Sequence, residues 1–286
     1  MPWCASSPHH VTSIFVPFTA TSLLGSGSVG VGLAVEPRFR ACFPGPDEPP
    51  TSTAVRALRL VQAVDERGAF LAPLPPGKGY AVSAASAVAA ALASTRSGGV
   101  KTSVLEALQA AHKAEVLERT GLGDVLALSC GVGLVMRSVP GGPGLGRADC
   151  VPLPRSVSIL SLEAGGSLWT GRLLGMEYLR RYRREAVRAI GRVLEERSLE
   201  AFAEESMRYT VTARLDTLVL GESARRILAR TPGLIGYYTK KLVTIVLVEA
   251  DRSGDAVEHL SRVRGSKLRV LAPSERGVEV WWDYGW

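Results

Sequence analysis

The sequence predicts an α+β fold in two domains, on three observations. The first half alternates short apolar runs with glycine turns and stretches of helical spacing. Pro152 and Pro154 then bracket a short linker within 148–154, which sets the expected domains at 1–152 and 153–286. Beyond the linker, the order strand, helices, strand, helix, strands suggests an α+β sandwich of ferredoxin-like type.

Each element has a local reason. Residues 11–17 read as a strand, 25–32 as a flexible glycine turn, and 31–43 as a second strand rich in β-branched and aromatic residues. Proline and glycine crowd 44–50 and mark a loop, after which Val55, Leu58 and Val61 take helical spacing within 51–65. A glycine turn at 75–83 leads into the alanine-rich stretch 84–95, which propensity makes a buried, closely packed helix. A further helix is expected at 103–119, and a strand at 132–138 within the glycine-rich 121–146. In the second half, strands are expected at 157–162, 242–249, 267–271 and 278–282. Helices are expected there at 176–197, 199–216, 223–230 and 256–264.

Composition narrows the function classes. Of 286 residues, 46% are hydrophobic and 21% charged, as in a soluble globular protein. No run approaches the roughly 18 apolar residues that span a bilayer, and residues 1–8 lack a basic region followed by an apolar run. A cytoplasmic protein with no membrane partner is therefore expected. Cys4, Cys42, Cys130 and Cys150 form no C-x-x-C pair and read as small buried residues, not as a disulfide framework or zinc site. Net charge is +7, but the densest basic segment, 180–197, interleaves arginine with Glu185, Glu195 and Glu196 and spaces Tyr182, Ala186, Ile190 and Val193 helically. An amphipathic helix with an ion-paired face explains that segment better than nucleic acid does. The absence of Asn, with only Gln62 and Gln109 as side-chain amides, points to a thermophilic source. The apolar end bearing Trp281, Trp282 and Trp286 is expected either to pack on the core or to form a homodimer interface.

Two glycine-rich segments stand out. Gly25-Ser-Gly27-Ser-Val-Gly30 fits the dinucleotide pattern G-x-G-x-x-G in letters. The residues after it read as a strand, not the helix start that a pyrophosphate needs, so a hairpin turn is expected. Pro75-Pro-Gly-Lys-Gly-Tyr-Ala-Val-Ser83 instead runs directly into the expected alanine helix. A helix N-terminus presents unpaired N–H groups and the positive end of a dipole, and glycine lets the main chain approach phosphate oxygens. The Walker form G-x-x-x-x-G-K-[ST] is absent. Downstream, Glu115 lies late in the helix 103–119, and Asp124 ends the turn Thr120-Gly-Leu-Gly-Asp124. Singly these two read as a solvated helix residue and a helix N-cap. Phosphoryl transfer, however, needs a magnesium ion and a group that orients or deprotonates the attacking hydroxyl. Ser83, Glu115 and Asp124 are residue types that supply both.

Together these segments resemble a known family. Pro76-Gly-Lys-Gly-Tyr-Ala-Val-Ser-Ala-Ala85 resembles motif 2 of the GHMP small-molecule kinases, whose usual form is P-x-x-x-G-L-G-S-S-A-A. Within that superfamily the chain most resembles the archaeal pantoate kinases. The match rests on Pro8-His-His-Val-Thr12 with Phe15, Gly25-Ser-Gly-Ser-Val-Gly-Val-Gly32, Ala111-His-Lys-Ala-Glu-Val116 and Thr120-Gly-Leu-Gly-Asp-Val125. Gly131-Val-Gly-Leu-Val-Met-Arg137 and Pro140-Gly-Gly-Pro-Gly144 continue it, in order, to about Gly146.

The resemblance implies a ribosomal-S5-like N-terminal domain beside the ferredoxin-like one. It also implies ATP- and Mg2+-dependent phosphorylation of the 4-hydroxyl of (R)-pantoate, in the archaeal route to coenzyme A. Ser83 and Glu115 match the positions expected to bind magnesium, and Asp124 matches the general base. Gly77, Lys78, Gly79, Tyr80, Ala81, Val82, Ser83 and Ala84 would cradle the ATP phosphates. Arg137 is the candidate for the pantoate carboxylate, because a guanidinium pairs bidentately with carboxylates. His10, Thr12 and Ser28 are candidate neighbours of the substrate, and His10 reads equally as a packed strand residue.

The chain departs from the family pattern in two places. The usual Leu-Gly-Ser-Ser becomes Tyr80-Ala-Val-Ser83, leaving one hydroxyl, and the third motif survives only vaguely as Pro232-Gly-Leu-Ile-Gly236. Lys240 and Lys241 come after it, with no role legible in the sequence. Two alternatives stay open. One is another GHMP kinase, acting on homoserine, shikimate or a mevalonate-like compound. The other is a nucleic-acid or regulatory binding module on an S5-like fold, which has no need for Ser83, Glu115 and Asp124 together.

Overall fold

Two long antiparallel strands organise the fold of the computed structural model, which describes residues 2–97, 102–165 and 180–283. Strand β1 (Trp3–Phe18) pairs with β2 (Gly27–Asp47) from Trp3↔Phe43 to Phe18↔Gly27. The segment expected as a glycine turn is therefore mostly strand: the chain turns at 21–25, and Gly27, Gly30 and Gly32 lie within β2. Around this pair a sheet runs in the order β10-β1-β2-β9-β6-β8-β7, with β3 and β4 also on β2 and β5 on β4. The later strands are β3 (Gly68–Leu71), β4 (Leu134–Val139), β5 (Arg147–Val151), β6 (Val157–Ala164) and β7 (Leu234–Lys240). Then come β8 (Val243–Glu249), β9 (Ser266–Pro273) and β10 (Glu279–Trp282).

A bulge in β1 decides which side chains face which way. Thr12 pairs with Gly32 and Ile14 with Val31, so Ser13 is the extra residue and alternation shifts by one there. Val11, Ile14 and Val16 consequently share the apolar face, and Thr12, Phe15 and Pro17 share the other, where they line a cavity.

Helices cover the sheet in layers. Helices α1 (Ser52–Leu60), α2 (Val82–Ser97), α3 (Val104–Leu117) and α4 (Asp124–Cys130) belong to the first half. Ser103 caps α3 through a capping box with Glu106, which satisfies two otherwise orphaned N–H groups. Small alanine side chains let α2 lie buried on nearly every side, against α1, α3 and Phe39, Ala41 and Phe43 of β2. In the second half, α5 (Arg183–Glu196) and α6 (Leu199–Thr212) pack on the apolar face of β1 and β2. Their core joins Val11, Ile14, Val31 and Leu33 to Ile190, Val193, Phe202 and Tyr238. Helices α7 (Leu215–Leu220), α8 (Glu222–Leu228) and α9 (Ser253–Leu260) follow, and α8 and α9 bury Leu160, Leu162, Val246 and Val248.

Several expectations need correction. The helix expected at 199–216 breaks at Arg214, whose φ of 57° is left-handed, and restarts as α7. The strands β3, β5 and β7 and the helix α4 are additional; they are short, and glycine or proline lies within or directly beside each. The start of the helix expected at 176–197, and Trp286, lie outside the described residues. Trp282 packs edge-on against Trp3 at 4.8 Å, so that tryptophan covers β1. Among the described residues, no helix is long and apolar enough to cross a membrane.

The cysteines are not free buried residues. Cys4 pairs with Cys42 across β1 and β2, and Cys130 pairs with Cys150 between α4 and β5. They lack a recognisable spacing because tertiary packing, the β1–β2 pairing for one bond and the α4–β5 contact for the other, brings them together. Non-reducing peptide mapping should recover these two links, with no thiol alkylated before reduction. Loop closure over 38 and 20 residues predicts a loss of about 3–4 kcal/mol per bond on reduction, read as a lower denaturant midpoint.

Candidate active site

A cavity of about 760 Å³ opens between the two halves. Thr12, Ser28, Gly77, Gly79, Tyr80, Ala81, Val82, Ser83, Ala84, Glu115, Asp124 and Arg137 all line it. His10 and Lys78 do not. His10 is buried behind Asp124, and the Lys78 ammonium donates to the Ala164 carbonyl at 2.7 Å.

The glycine loop forms one wall. Gly77, Gly79 and Ala81 all have positive φ, at 80°, 128° and 54°. Alternating left-handed residues turn backbone N–H groups toward a common concavity, the geometry that binds anions. Ala81 stands where the family motif has glycine, and it adopts the left-handed backbone despite its Cβ. Its carbonyl accepts the Ala85 N–H at 2.9 Å, so α2 starts at once, with its first N–H groups free of intrahelical partners. Ser83 sits on that first turn.

Contacts from three directions hold the loop. Buried His9 donates from Nδ1 to the Tyr80 carbonyl at 3.1 Å. The Tyr80 hydroxyl donates into β6, 2.8 Å from Glu163 and 2.9 Å from Ser161, and Arg269 pairs with Glu163. Leu242, in the β7–β8 turn, donates its N–H to the Lys78 carbonyl at 3.0 Å. A Cβ on Gly79 would lie 2.6 Å from the Lys240 carbonyl, so only glycine allows that approach.

The opposite wall is polar and largely buried. Asp124 begins α4, whose N-cap is Gly123, so it is not the helix cap that its sequence position suggested. One of its oxygens, Oδ1, accepts from His10 Nδ1 at 2.8 Å and from Thr12 Oγ at 3.1 Å. Its side chain keeps 18% exposure, which leaves the other oxygen to face the cavity. Burial favours a protonated Asp124, but the His10 hydrogen bond and the charges of Lys240 and Arg137 outweigh it and hold the carboxyl well below the usual range. Burial keeps His10 itself neutral by lowering its pKa. Burial and then the neighbouring Asp124 charge push Glu115 up to about 8, and its one hydrogen bond, from the Val125 N–H, is long at 3.5 Å.

Arg137 is 2% exposed, donates from Nη1 to Ser28 at 3.0 Å, and leaves Nε and Nη2 without partners. A buried guanidinium with two free donors facing a cavity is a ready site for an anion.

Missing side chains make room for these charges. Ser28, Gly30 and Gly32 share one face of β2, and Arg137 sits directly opposite Gly30 in the register. A Cβ on Gly30 would fall 2.7 Å from Arg137 Nη2, and one on Gly32 would fall 2.7 Å from His10 Nε2. Gly123 and Gly121 similarly clear space for Arg137 and Glu115, at 2.1 and 2.3 Å.

Sequence reasoning missed three residues here. His9 carries no motif of its own beside His10. Lys240 and Lys241 also line the cavity, with Lys240 Nζ 4.1 Å from the centre of the Phe15 ring. The only local signal for the lysines was their position at a strand end, which says nothing about distant neighbours.

Burial lowers His9 to about 4, against its bond to Tyr80. Below pH 6.5 the unfolded chain therefore takes up a proton that the native chain refuses, and stability falls as the pH drops toward 4. The expected loss is about 3 kcal/mol, and none arises from this group above pH 6.5. Urea midpoints at pH 7.5 and 4.5 should differ correspondingly less in His9→Leu than in the wild type.

No protein-family model matches the chain. The pantoate kinase of Thermococcus kodakarensis is 32% identical over 165 residues, which cover 50% of this chain and 53% of that enzyme. The match thus spans about half the length of the curated relative. Among solved structures, a phosphotransferase related to the coenzyme A biosynthesis pathway superposes with a TM-score of 0.84 at 23% identity, over 100% of both chains. Homoserine kinase of Cytophaga hutchinsonii gives 0.67 at 15% identity, over 98% of this chain and 97% of its own. The layered α/β architecture around β1 and β2 is the fold of the GHMP small-molecule kinases.

Proposed function

We propose that the chain phosphorylates the 4-hydroxyl of (R)-pantoate with ATP, yielding 4-phosphopantoate for coenzyme A synthesis. The observation that carries this reading is the arrangement around Asp124. An ionised carboxylate, pinned through one oxygen by His10 and Thr12, faces a cavity between an anion-binding loop and the free donors of Arg137. The pantoate kinase similarity supports the choice of acceptor.

The loop from Gly77 to Ala84 would hold the ATP phosphates on backbone N–H groups, with the α2 dipole behind them. Arg137 would take the acceptor carboxylate, and Ser28 fixes its orientation. Asp124 would accept the proton of the attacking hydroxyl. Its low pKa makes it a weak base but a reliable orienting group, as suits a transfer that depends on positioning and charge stabilisation. Tautomer matters here: neutral His10 donates from Nδ1 and so keeps Asp124 aimed. The residues fit a magnesium ion, since Ser83 and Glu115 offer hard oxygen donors and a buried carboxyl displaced toward 8 ionises most readily beside a cation. Bound there, the ion would neutralise phosphate charge.

The similarity to the Thermococcus enzyme also supports an archaeal, thermophilic source and a cytoplasmic setting. Two disulfides agree with that setting, because intracellular proteins of hyperthermophiles are often disulfide-rich.

Purified protein with ATP, Mg2+ and a panel of pantoate, homoserine, shikimate and mevalonate should release ADP with pantoate. Turnover of another acceptor without pantoate overturns the assignment. Asp124→Ala should lower kcat by about 10²–10⁴-fold while nucleotide affinity stays unchanged. Arg137→Met should raise KM for pantoate by about 30-fold or more, with KM for ATP unaffected.

A further inference from the structure

The reaction proposed above needs a positive charge where the acceptor oxygen becomes anionic, and β1 supplies none: its cavity-facing residues are Thr12, Phe15 and Pro17. A cation reaches that wall from the other half of the chain. Lys240 ends β7, and its Nζ lies over the Phe15 ring at 4.1 Å. Phe15 and Arg137 both abut Gly30, so Lys240, Phe15 and Arg137 share one stretch of wall. The Lys240 backbone packs on Gly79 of the anion-binding loop, and Leu242 is hydrogen-bonded to Lys78, which fixes the turn against that loop.

We infer that Lys240 is a catalytic residue: its ammonium donates a hydrogen bond to the acceptor oxygen as that oxygen attacks the terminal phosphoryl group. This rests on the kinase reading above. The hydroxyl proton passes to Asp124, a bond forms from the acceptor oxygen to the terminal phosphorus, and the bond from that phosphorus to the leaving ADP oxygen breaks. Lys240 keeps its proton throughout and offsets the charge gathering on the attacking oxygen, where a fixed cation in a water-poor site is worth far more than in bulk.

Position and charge agree in assigning this role to Lys240 over a second carboxylate contact. The charged or titratable groups facing it are Asp124 on α4, Glu115 on α3, Arg137 on β4, His10 on β1 and the adjacent Lys241. Asp124 acts on it most strongly among them, and Lys240 in turn acts more strongly on Asp124 than Arg137 does. Withdrawal from solvent lowers Lys240 to about 7, a cost that Asp124 opposes.

The test compares wild type, Lys240→Met, Lys240→Gln and Lys240→Arg in steady-state kinetics with ATP, Mg2+ and pantoate, using only variants whose near-UV circular dichroism matches wild type. Both uncharged variants should lose about 100-fold or more in kcat, with each KM within about threefold of wild type, and Lys240→Arg should recover about tenfold of the loss. Three results overturn the inference. These are kcat within about threefold of wild type in Lys240→Met, an unchanged kcat with a KM for pantoate raised about tenfold or more, and no recovery in Lys240→Arg. A wild type that turns over no acceptor overturns the kinase reading itself, a result distinct from an active wild type with an equally active Lys240→Met.

Discussion

A buried guanidinium is the constraint around which the active-site half is arranged. Taking Arg137, Glu115 and Asp124 out of water costs several kcal/mol per ion unless each finds a partner or a ligand. Strand β2 accommodates them by leaving out side chains. Its Ser28, Gly30 and Gly32 face the charges, while Val31 and Leu33 on the reverse face join the apolar core. One strand is therefore packed on one side and nearly bare on the other. The bulge at Ser13 serves the same division on β1, keeping Val11, Ile14 and Val16 in the core while Thr12 and Phe15 face the cavity.

A second consequence is that neither half builds the cavity alone. The loop at Gly77–Ala84 carries a left-handed alanine, a conformation that persists only where surrounding contacts over-determine it. Those contacts come from His9 on β1, from Glu163 and Arg269 through Tyr80, and from the β7–β8 turn. Pre-set N–H groups need little rearrangement when an anion arrives, which is how a rigid loop contributes to charge stabilisation.

The long helices and the inner strands β1, β2, β6 and β8 were legible because their apolar runs are sustained. Residues 84–95 announce a buried helix through alanine alone, and the helix expected at 103–119 is held at its start by the Ser103–Glu106 box. The short elements were not legible: β3 has four residues, and α4 lies inside a glycine-rich stretch. Gly25–Gly32 was misread because glycine in a strand and glycine in a turn look alike from the sequence. The difference lies in what approaches the missing Cβ, here Arg137 and His10. The disulfides were hidden because their partners meet only in the tertiary fold, Cys4 and Cys42 on paired strands and Cys130 and Cys150 where α4 packs on β5.

By itself the sequence determined the chemical inventory: a glycine loop running into a helix start, one hydroxyl at Ser83, two acids and an arginine. These are set by local order, since a loop and the helix after it are neighbours along the chain. Only the tertiary structure decided how those groups work together. It set His10 behind Asp124, bound Thr12 to Asp124 at the cavity wall, turned Lys78 away from the cavity, and brought Lys240 across from the second half to the wall of the first. Such contacts are fixed by sheet order and by which face each residue takes, quantities set by the packing of the whole chain.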